Sequence, residues 1–337
     1  MVSSTRVAGV LNPGTLLEDG KYQITRLLGQ GGFGITYQCL DTKLNRPVAL
    51  KEFFPQGCLR EGTTVISAGR WNDSNYNDAK QKFLQEGQNL GRFNHPGIVK
   101  VFNYFEENNT AYIVMEYLKG KTLRQFLKWR GGKLQPKEAL YFIEKAGKAL
   151  EVLHQSQFLH RDIKPDNIII AEDGRIILID FGAGRNMQNQ STDKFTAMLT
   201  PGYAPLEQYG QALPYGTFTD IYALGATLYR LLTGKVPTSA VERAAGVKLP
   251  SIQELEPTIS PHIAKAVKKA MTMDVTKRVQ SVTEFLSMLQ LYSYSLNLND
   301  NTNTHQFYQA FSDPWEAFDQ ALEKSQFHYQ SSTNNWF

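Results

Sequence analysis

The sequence predicts an α+β chain of two lobes: an antiparallel five-stranded sheet with one main helix, then a mainly helical lobe. Two observations carry this expectation. Between Tyr22 and Leu118 the chain runs in short segments rich in β-branched and aromatic residues, separated by turn residues. After Gly120 apolar residues recur at helical spacing instead. A chain of 337 residues has ample volume for both cores.

Taken in order, residues 1–16 are short-sided and polar and read as a flexible leader. Strands are expected at Tyr22 to Leu28, Gly34 to Leu40, Arg46 to Phe54, Ile98 to Phe105 and Ala111 to Tyr117. Asp41 to Asn45 and Glu107 to Asn109 supply turns between them. One helix, around Asp78 to Arg92, interrupts the strands. Residues 17–118 thus form the first lobe and 119–292 the second. There, Pro136 opens a helix with Leu140, Ile143, Leu150 and Leu153 along one face. Asp220 to Leu232 forms another, closed by Gly234. Ile263 to Met271 forms a third. A fourth starts at Ser281, three residues before Glu284, in capping-box spacing. Residues 293–337 are a polar tail. Within it, Trp315, Phe318 and Leu322 line one face of a short amphipathic helix expected to dock on the rest of the chain.

Composition narrows the function classes. With 42% hydrophobic and 20% charged residues the chain has globular composition, and a net charge of +4 is too mild to argue for nucleic acid or a membrane surface. No apolar run approaches a bilayer span, and the N-terminus lacks a signal-peptide core. Cys39 and Cys58 sit in no metal spacing, which suits packing roles in the reducing cytoplasm.

The chemistry is concentrated in two stretches. His160-Arg-Asp-Ile-Lys-Pro-Asp-Asn is followed by an apolar run, an Asp173-Gly174 turn and Ile176-Ile-Leu-Ile-Asp-Phe-Gly. Asp162 can accept a hydroxyl proton and Lys164 can hold a phosphate in transfer. Asn167 and Asp180 offer the hard oxygens that Mg2+ demands. Upstream, Gly29, Gly31 and Gly34 form a Gly-x-Gly-x-x-Gly between two strand-like runs. That context suits a hairpin lid over phosphates rather than a strand–helix dinucleotide loop. Lys51 shares a strand face with Ala49, a small residue on which a flat base can pack. Glu86 is its expected carboxylate partner. Glu52 is a rival, but adjacent strand residues point to opposite faces. Met115, Glu116 and Leu118 would form a hinge whose backbone groups hold the adenine edge, and Ile169 completes the candidate ATP contacts.

Between Arg185 and Thr200 lies a polar loop with Ser191, Thr192 and Thr196, a natural order–disorder switch if a phosphate there pairs with Arg161. Thr200 could bridge Asp162 and Lys164. Glu207 needs a buried guanidinium, with Arg278 as the candidate, and Asp220 would accept from the amides of the catalytic loop.

In these motifs the chain resembles the eukaryotic-like (Hanks-type) serine/threonine protein kinases, most of all bacterial members. The resemblance runs from about Tyr22 to Tyr292 and includes Thr200-Pro-Gly-Tyr-Ala-Pro. It implies the two-lobed kinase fold, ATP as phosphoryl donor, two Mg2+ ions (with Mn2+ as a substitute) and protein substrates bearing Ser or Thr. Homodimerisation is open. Thr36 stands in place of the usual valine, and Leu206 and Val279 stand where prolines are common. Lys51 and Glu86 lie 35 positions apart, longer than usual, with the surplus near residues 60–77. If that surplus displaced the helix, Glu86 would not reach Lys51. The rival readings are a nucleotide-binding pseudokinase scaffold and a small-molecule phosphotransferase. Asp166 hints at a basic residue near the acceptor.

Overall fold

The strands of the first lobe follow from their turns. In the computed structural model, which describes residues 9–69, 71–181, 185–186, 199–210 and 214–293, these strands are β1 (Leu16–Leu17), β2 (Tyr22–Gln30), β3 (Gly34–Asp41) and β4 (Arg46–Phe53). A hairpin of β5 (Leu59–Glu61) and β6 (Thr64–Ile66) leads to helix α1 (Asp73–Leu90), followed by β7 (Val101–Glu107) and β8 (Thr110–Glu116). Asp41 Oδ1 accepts from the amides of Lys43 and Leu44 at 3.1 and 3.0 Å, which folds the β3–β4 turn. Asn108 and Asn109 both take positive φ between β7 and β8, the conformation a two-residue hairpin demands.

The main sheet has the order β1-β2-β3-β4-β8-β7 with every neighbour antiparallel. It therefore has six strands rather than five. The added strand comes from the stretch expected to be loose, because Leu16–Leu17 pairs with Gln23 and Tyr22. Leu11 is buried, and its amide donates to the Tyr37 hydroxyl at 3.1 Å. Residues 9–16 are thus built into the lobe. Helix α1 starts five residues earlier than expected, because Asn72 caps it by accepting from the Asn75 amide at 2.9 Å.

The second lobe contains β9 (Gly120–Thr122), α2 (Leu123–Trp129), α3 (Pro136–Gln155), β10 (Phe158–Leu159), β11 (Ile168–Ala171), β12 (Ile176–Leu178) and β13 (Arg185–Asn186). Helices α4 (Thr217–Thr233), α5 (Ala240–Ala244), α6 (Ile252–Leu255), α7 (Pro261–Ala270) and α8 (Val282–Ser293) complete it. Gly234 ends α4 at φ 70°, where a side chain would be strained. At the start of α8, Ser281 Oγ accepts from the Glu284 amide as expected. The return bond goes to the amide of Gln280, not Ser281.

Each lobe has its own apolar core. Leu90, Ile98 and Val99 precede the hinge in sequence yet belong to the second core. The strand expected from Ile98 begins only at Val101, because residues 97–99 pair with β12 instead. The Val99 amide donates to the Leu178 carbonyl at 3.1 Å and the Leu178 amide to the Gly97 carbonyl at 2.9 Å. Val101 and Met115 pack against both cores and join them.

Candidate active site

Gly29, Gly31 and Gly34 span the turn from β2 to β3. The Gly31 amide donates to the Gly34 carbonyl at 2.8 Å, and a Cβ on Gly34 would run into the Glu52 carbonyl. Ala49 lies across from Met115, and Lys51 across from Thr36 on one side and Ile113 on the other. Pleating separates Lys51 from Glu52 as expected. Lys51 faces α1 and the cleft, while Glu52 is buried on the opposite face with Tyr37, Tyr112 and Arg60.

Lys51 Nζ stands 2.5 Å from Asp180 Oδ1 and 3.7 Å from Glu86 Oε1. The surplus before α1 has not displaced the helix. Burial works against the Lys51 ammonium, but the two carboxylates outweigh it and hold its pKa above the ordinary range. The Lys51 ammonium holds Asp180 below the usual carboxylate range. Burial pushes Glu86 up to about 7, with Lys51 pulling the other way and Asp180 adding to the rise.

This gives a pH prediction. A raised pKa means that the folded state binds the Glu86 proton more tightly than the unfolded one. Its stabilisation is therefore complete below about 4.5 and lost as pH rises through about 7. Pairing with Lys51 runs the opposite way, since it needs the carboxylate. kcat/KM for ATP, measured from pH 5.5 to 8.5, should show an acid limb with a midpoint near 7. Glu86→Gln should be slower throughout and lack that limb. A wild-type limb surviving unchanged in Glu86→Gln would assign it to another group.

The catalytic loop hangs from Asp220 on α4. Its carboxylate accepts from the amides of His160 and Arg161 at 2.9 and 2.7 Å, and His154 Nε2 lies 2.8 Å away. Held this way, Arg161 takes φ 66°, a conformation rare for a side-chain-bearing residue. Asp162 then faces three donors. Lys164 Nζ reaches Oδ2 at 2.7 Å, Asn167 Nδ2 reaches Oδ2 at 2.8 Å, and the Thr200 hydroxyl reaches Oδ1 at 3.1 Å. Lys164 also donates to Thr200 Oγ1 at 2.8 Å, so Thr200 bridges the two. Asn167 spends its N–H bonds on Asp162, including the carbonyl at 2.8 Å, which leaves its own oxygen for a cation. Asp180 sits at φ 62°. The next residue, Phe181, is fully buried with its ring 4.3 Å from that of His160.

Glu207 and Arg278 form the expected pair at 2.5 Å with both side chains fully buried. The Thr219 hydroxyl donates to Glu207 at 3.1 Å. Leu206 is half-buried against the second core and Val279 is buried in it, so neither replacement of proline disturbs the packing. The Arg161 guanidinium lies 4.1 Å from the centre of the Tyr215 ring. Ser191, Thr192 and Thr196 lie outside the described residues. Ile169 is half-buried between buried neighbours in β11, and Leu118 packs on the second core.

Sequence reasoning missed several partners. The Glu116 side chain pairs with Arg175 at 2.6 Å, strapping the hinge to the β11–β12 turn. No spacing rule links those positions. Asp166 pairs with Arg124 at 2.7 Å, so the chain itself supplies the cation that a basic substrate residue was expected to bring.

The family model described as protein kinase domain matches residues 22–290. The chain is 33% identical over 273 residues to serine/threonine-protein kinase PrkC of Bacillus subtilis, covering 79% of this chain and 39% of that protein. It is 33% identical over 287 residues to serine/threonine-protein kinase B of Synechocystis sp., covering 81% and 47%. Against PknA of Mycobacterium tuberculosis the identity is 31% over 266 residues, covering 77% and 57%. The chain thus spans about two fifths to three fifths of the length of these curated relatives. The solved structure described as PpkA-294 apo form aligns with a TM-score of 0.71 and 32% identity, covering 84% of this chain and all of the other. With its fold, its ordered motifs and these likenesses in agreement, the chain belongs to the Hanks-type serine/threonine protein kinases.

Proposed function

We propose that this chain transfers the γ-phosphate of ATP to Ser or Thr hydroxyls of protein substrates. The observation that carries this reading is Asp162 with Lys164 and Thr200 around it: a carboxylate and an ammonium joined through a hydroxyl of the very type to be phosphorylated. Asp162 orients the acceptor hydroxyl and takes its proton, and Lys164 neutralises charge on the phosphate in transfer. Gly29, Gly31 and Gly34 cover the phosphates, and Lys51, held by Glu86, positions them. Ala49, Ile169 and the hinge from Glu116 to Leu118 take the adenine. The Glu116 amide already donates to the Lys100 carbonyl at 2.8 Å, which leaves the Glu116 carbonyl and the Leu118 backbone for the base edge.

Asn167 and Asp180 would hold the divalent cation. Their donor set is all hard oxygen, which fits Mg2+. The cation supplies charge neutralisation at the phosphates. Glu207, Arg278 and Asp220 act as scaffold. Among the described residues no helix is long and apolar enough to cross a membrane.

The test is autophosphorylation with labelled ATP and Mg2+, wild type beside Asp162→Asn, with phosphosites mapped. Label on Ser191, Thr192 or Thr196 that vanishes in the mutant would support both the activity and the loop switch through Arg161. ATP binding with no label in either protein, and none on added acceptor proteins, would favour the pseudokinase reading.

A further inference from the structure

The residues between Lys51 and α1 touch three of the elements that the proposed function assigns to ATP: the Gly-rich loop, β4 and α1. Next to the Gly-rich loop, the Gln56 amide donates to the Gly32 carbonyl at 2.9 Å and the Phe54 amide to the Phe33 carbonyl at 3.1 Å. On the back of β4, Arg60 from the β5–β6 hairpin places Nη2 2.6 Å from Glu52 Oε2. The same guanidinium donates to the carbonyls of Gly9 and Thr63, each at 2.7 Å. Glu52 is fully buried and also accepts from the hydroxyls of Tyr37 and Tyr112 at 2.9 and 3.2 Å. At the start of α1, Trp71 is buried in the first core and its indole N–H donates to the Gln56 carbonyl at 3.1 Å. The Ser67 hydroxyl donates to Asp73 at 2.7 Å. The hairpin is also tied to the β7–β8 turn, where the Val65 carbonyl accepts from Asn109 Nδ2 and the Asn109 carbonyl accepts from Tyr76 of α1, both at 2.9 Å.

We propose that this segment is a built-in brace for the nucleotide site, and that Arg60 and Trp71 are positioning residues for ATP. They act through others. Arg60 grips Glu52, whose neighbour is Lys51. Trp71 ties the chain beside the Gly-rich loop to the helix carrying Glu86. A buried ion pair with every oxygen satisfied fixes a register more firmly than apolar contact, because sliding the strand would strand charge away from water. The Lys51–Glu86 geometry is thereby braced by contacts within this chain. The inference rests on the proposed function for its kinetics but not for nucleotide binding, which is read separately.

The experiment uses the full chain, with ATP affinity measured by displacement of a fluorescent nucleotide well below the melting temperature. Arg60→Met and Trp71→Leu should each weaken ATP binding and lower kcat/KM for ATP, by about 10- to 100-fold together with a rise in KM. KM for an acceptor protein should stay unchanged, a split that simple loss of folded material would not produce. Arg60→Lys should recover part of the affinity. Should Arg60→Met not fold, the apolar pair Glu52→Met/Arg60→Met retains the packing volume without a stranded charge, and it should fold yet bind ATP weakly. Folded Arg60→Met or the apolar pair binding ATP within about two-fold of wild type would overturn the brace. Weak ATP binding in these variants supports it even if no phosphoryl transfer is found in any form.

Discussion

Asp162→Asn should lower phosphoryl transfer by about 10²- to 10⁴-fold while leaving ATP affinity near that of wild type. The substitution is nearly isosteric. An asparagine can keep its oxygen toward Lys164 and Asn167, where Oδ2 now accepts at 2.7 and 2.8 Å, and turn its NH2 toward Thr200, whose hydroxyl can accept instead of donate. The loop therefore keeps its shape. What disappears is the proton acceptor and the negative charge that balances Lys164. Lys51, Glu86 and Asp180 are untouched, so the nucleotide should still bind. Label transfer to an acceptor protein, measured beside nucleotide titration, separates the two effects. Activity above about a tenth of wild type would place the essential base elsewhere.

Glu207→Ala should strongly destabilise the second lobe. It strands Arg278, which is shut away from solvent. The guanidinium would retain the carbonyls of Thr272 at 2.7 Å and Phe218 at 3.0 Å but no counter-charge among the described residues. Removing one partner of a buried pair costs about 3–5 kcal/mol, and for a domain of this size the melting temperature should fall by roughly 10 °C. Glu207→Met/Arg278→Met should lose far less, because no charge is left buried. Thermal unfolding followed by circular dichroism gives the answer, and a fall under about 2 °C for the alanine variant would mean that solvent reaches Arg278 after all.

Much of the candidate site was legible in the sequence because its residues are fixed by local chemistry. Alternation along β4 put Lys51 and Glu52 on opposite faces. Asp162, Asn167 and Asp180 flank one short hairpin, so their proximity needed no long-range packing. Glu86 was harder, since its reach depends on how residues 54–72 fold. There the buried side chains include Phe54, Cys58, Val65, Trp71 and most of Arg60, at irregular spacing that carries no periodic signal. Leu16–Leu17 escaped notice because a two-residue strand has no pattern to read. The left-handed backbone at Arg161 and Asp180 was invisible, because neither residue in its local context signals it in the way a glycine does. It exists because Asp220 takes the amides of His160 and Arg161 and because the buried ring of Phe181, the residue after Asp180, anchors the chain there. Arg124 and Arg175 meet their partners across elements far apart in the chain, beyond any rule of spacing.

Pairing of residues 97–99 with β12 has a bearing on how the molecule comes apart. Leu90, Ile98 and Val99 are stitched into the second core although the chain has not yet crossed the hinge. Severed at residue 118, the first fragment would carry away three plugs of its neighbour's interior, and the second would be left with an unpaired edge at Leu178. Neither half is an autonomous module. The two lobes should melt in one transition, and their amides near Gly97 and Leu178 should exchange with solvent only when the whole chain opens.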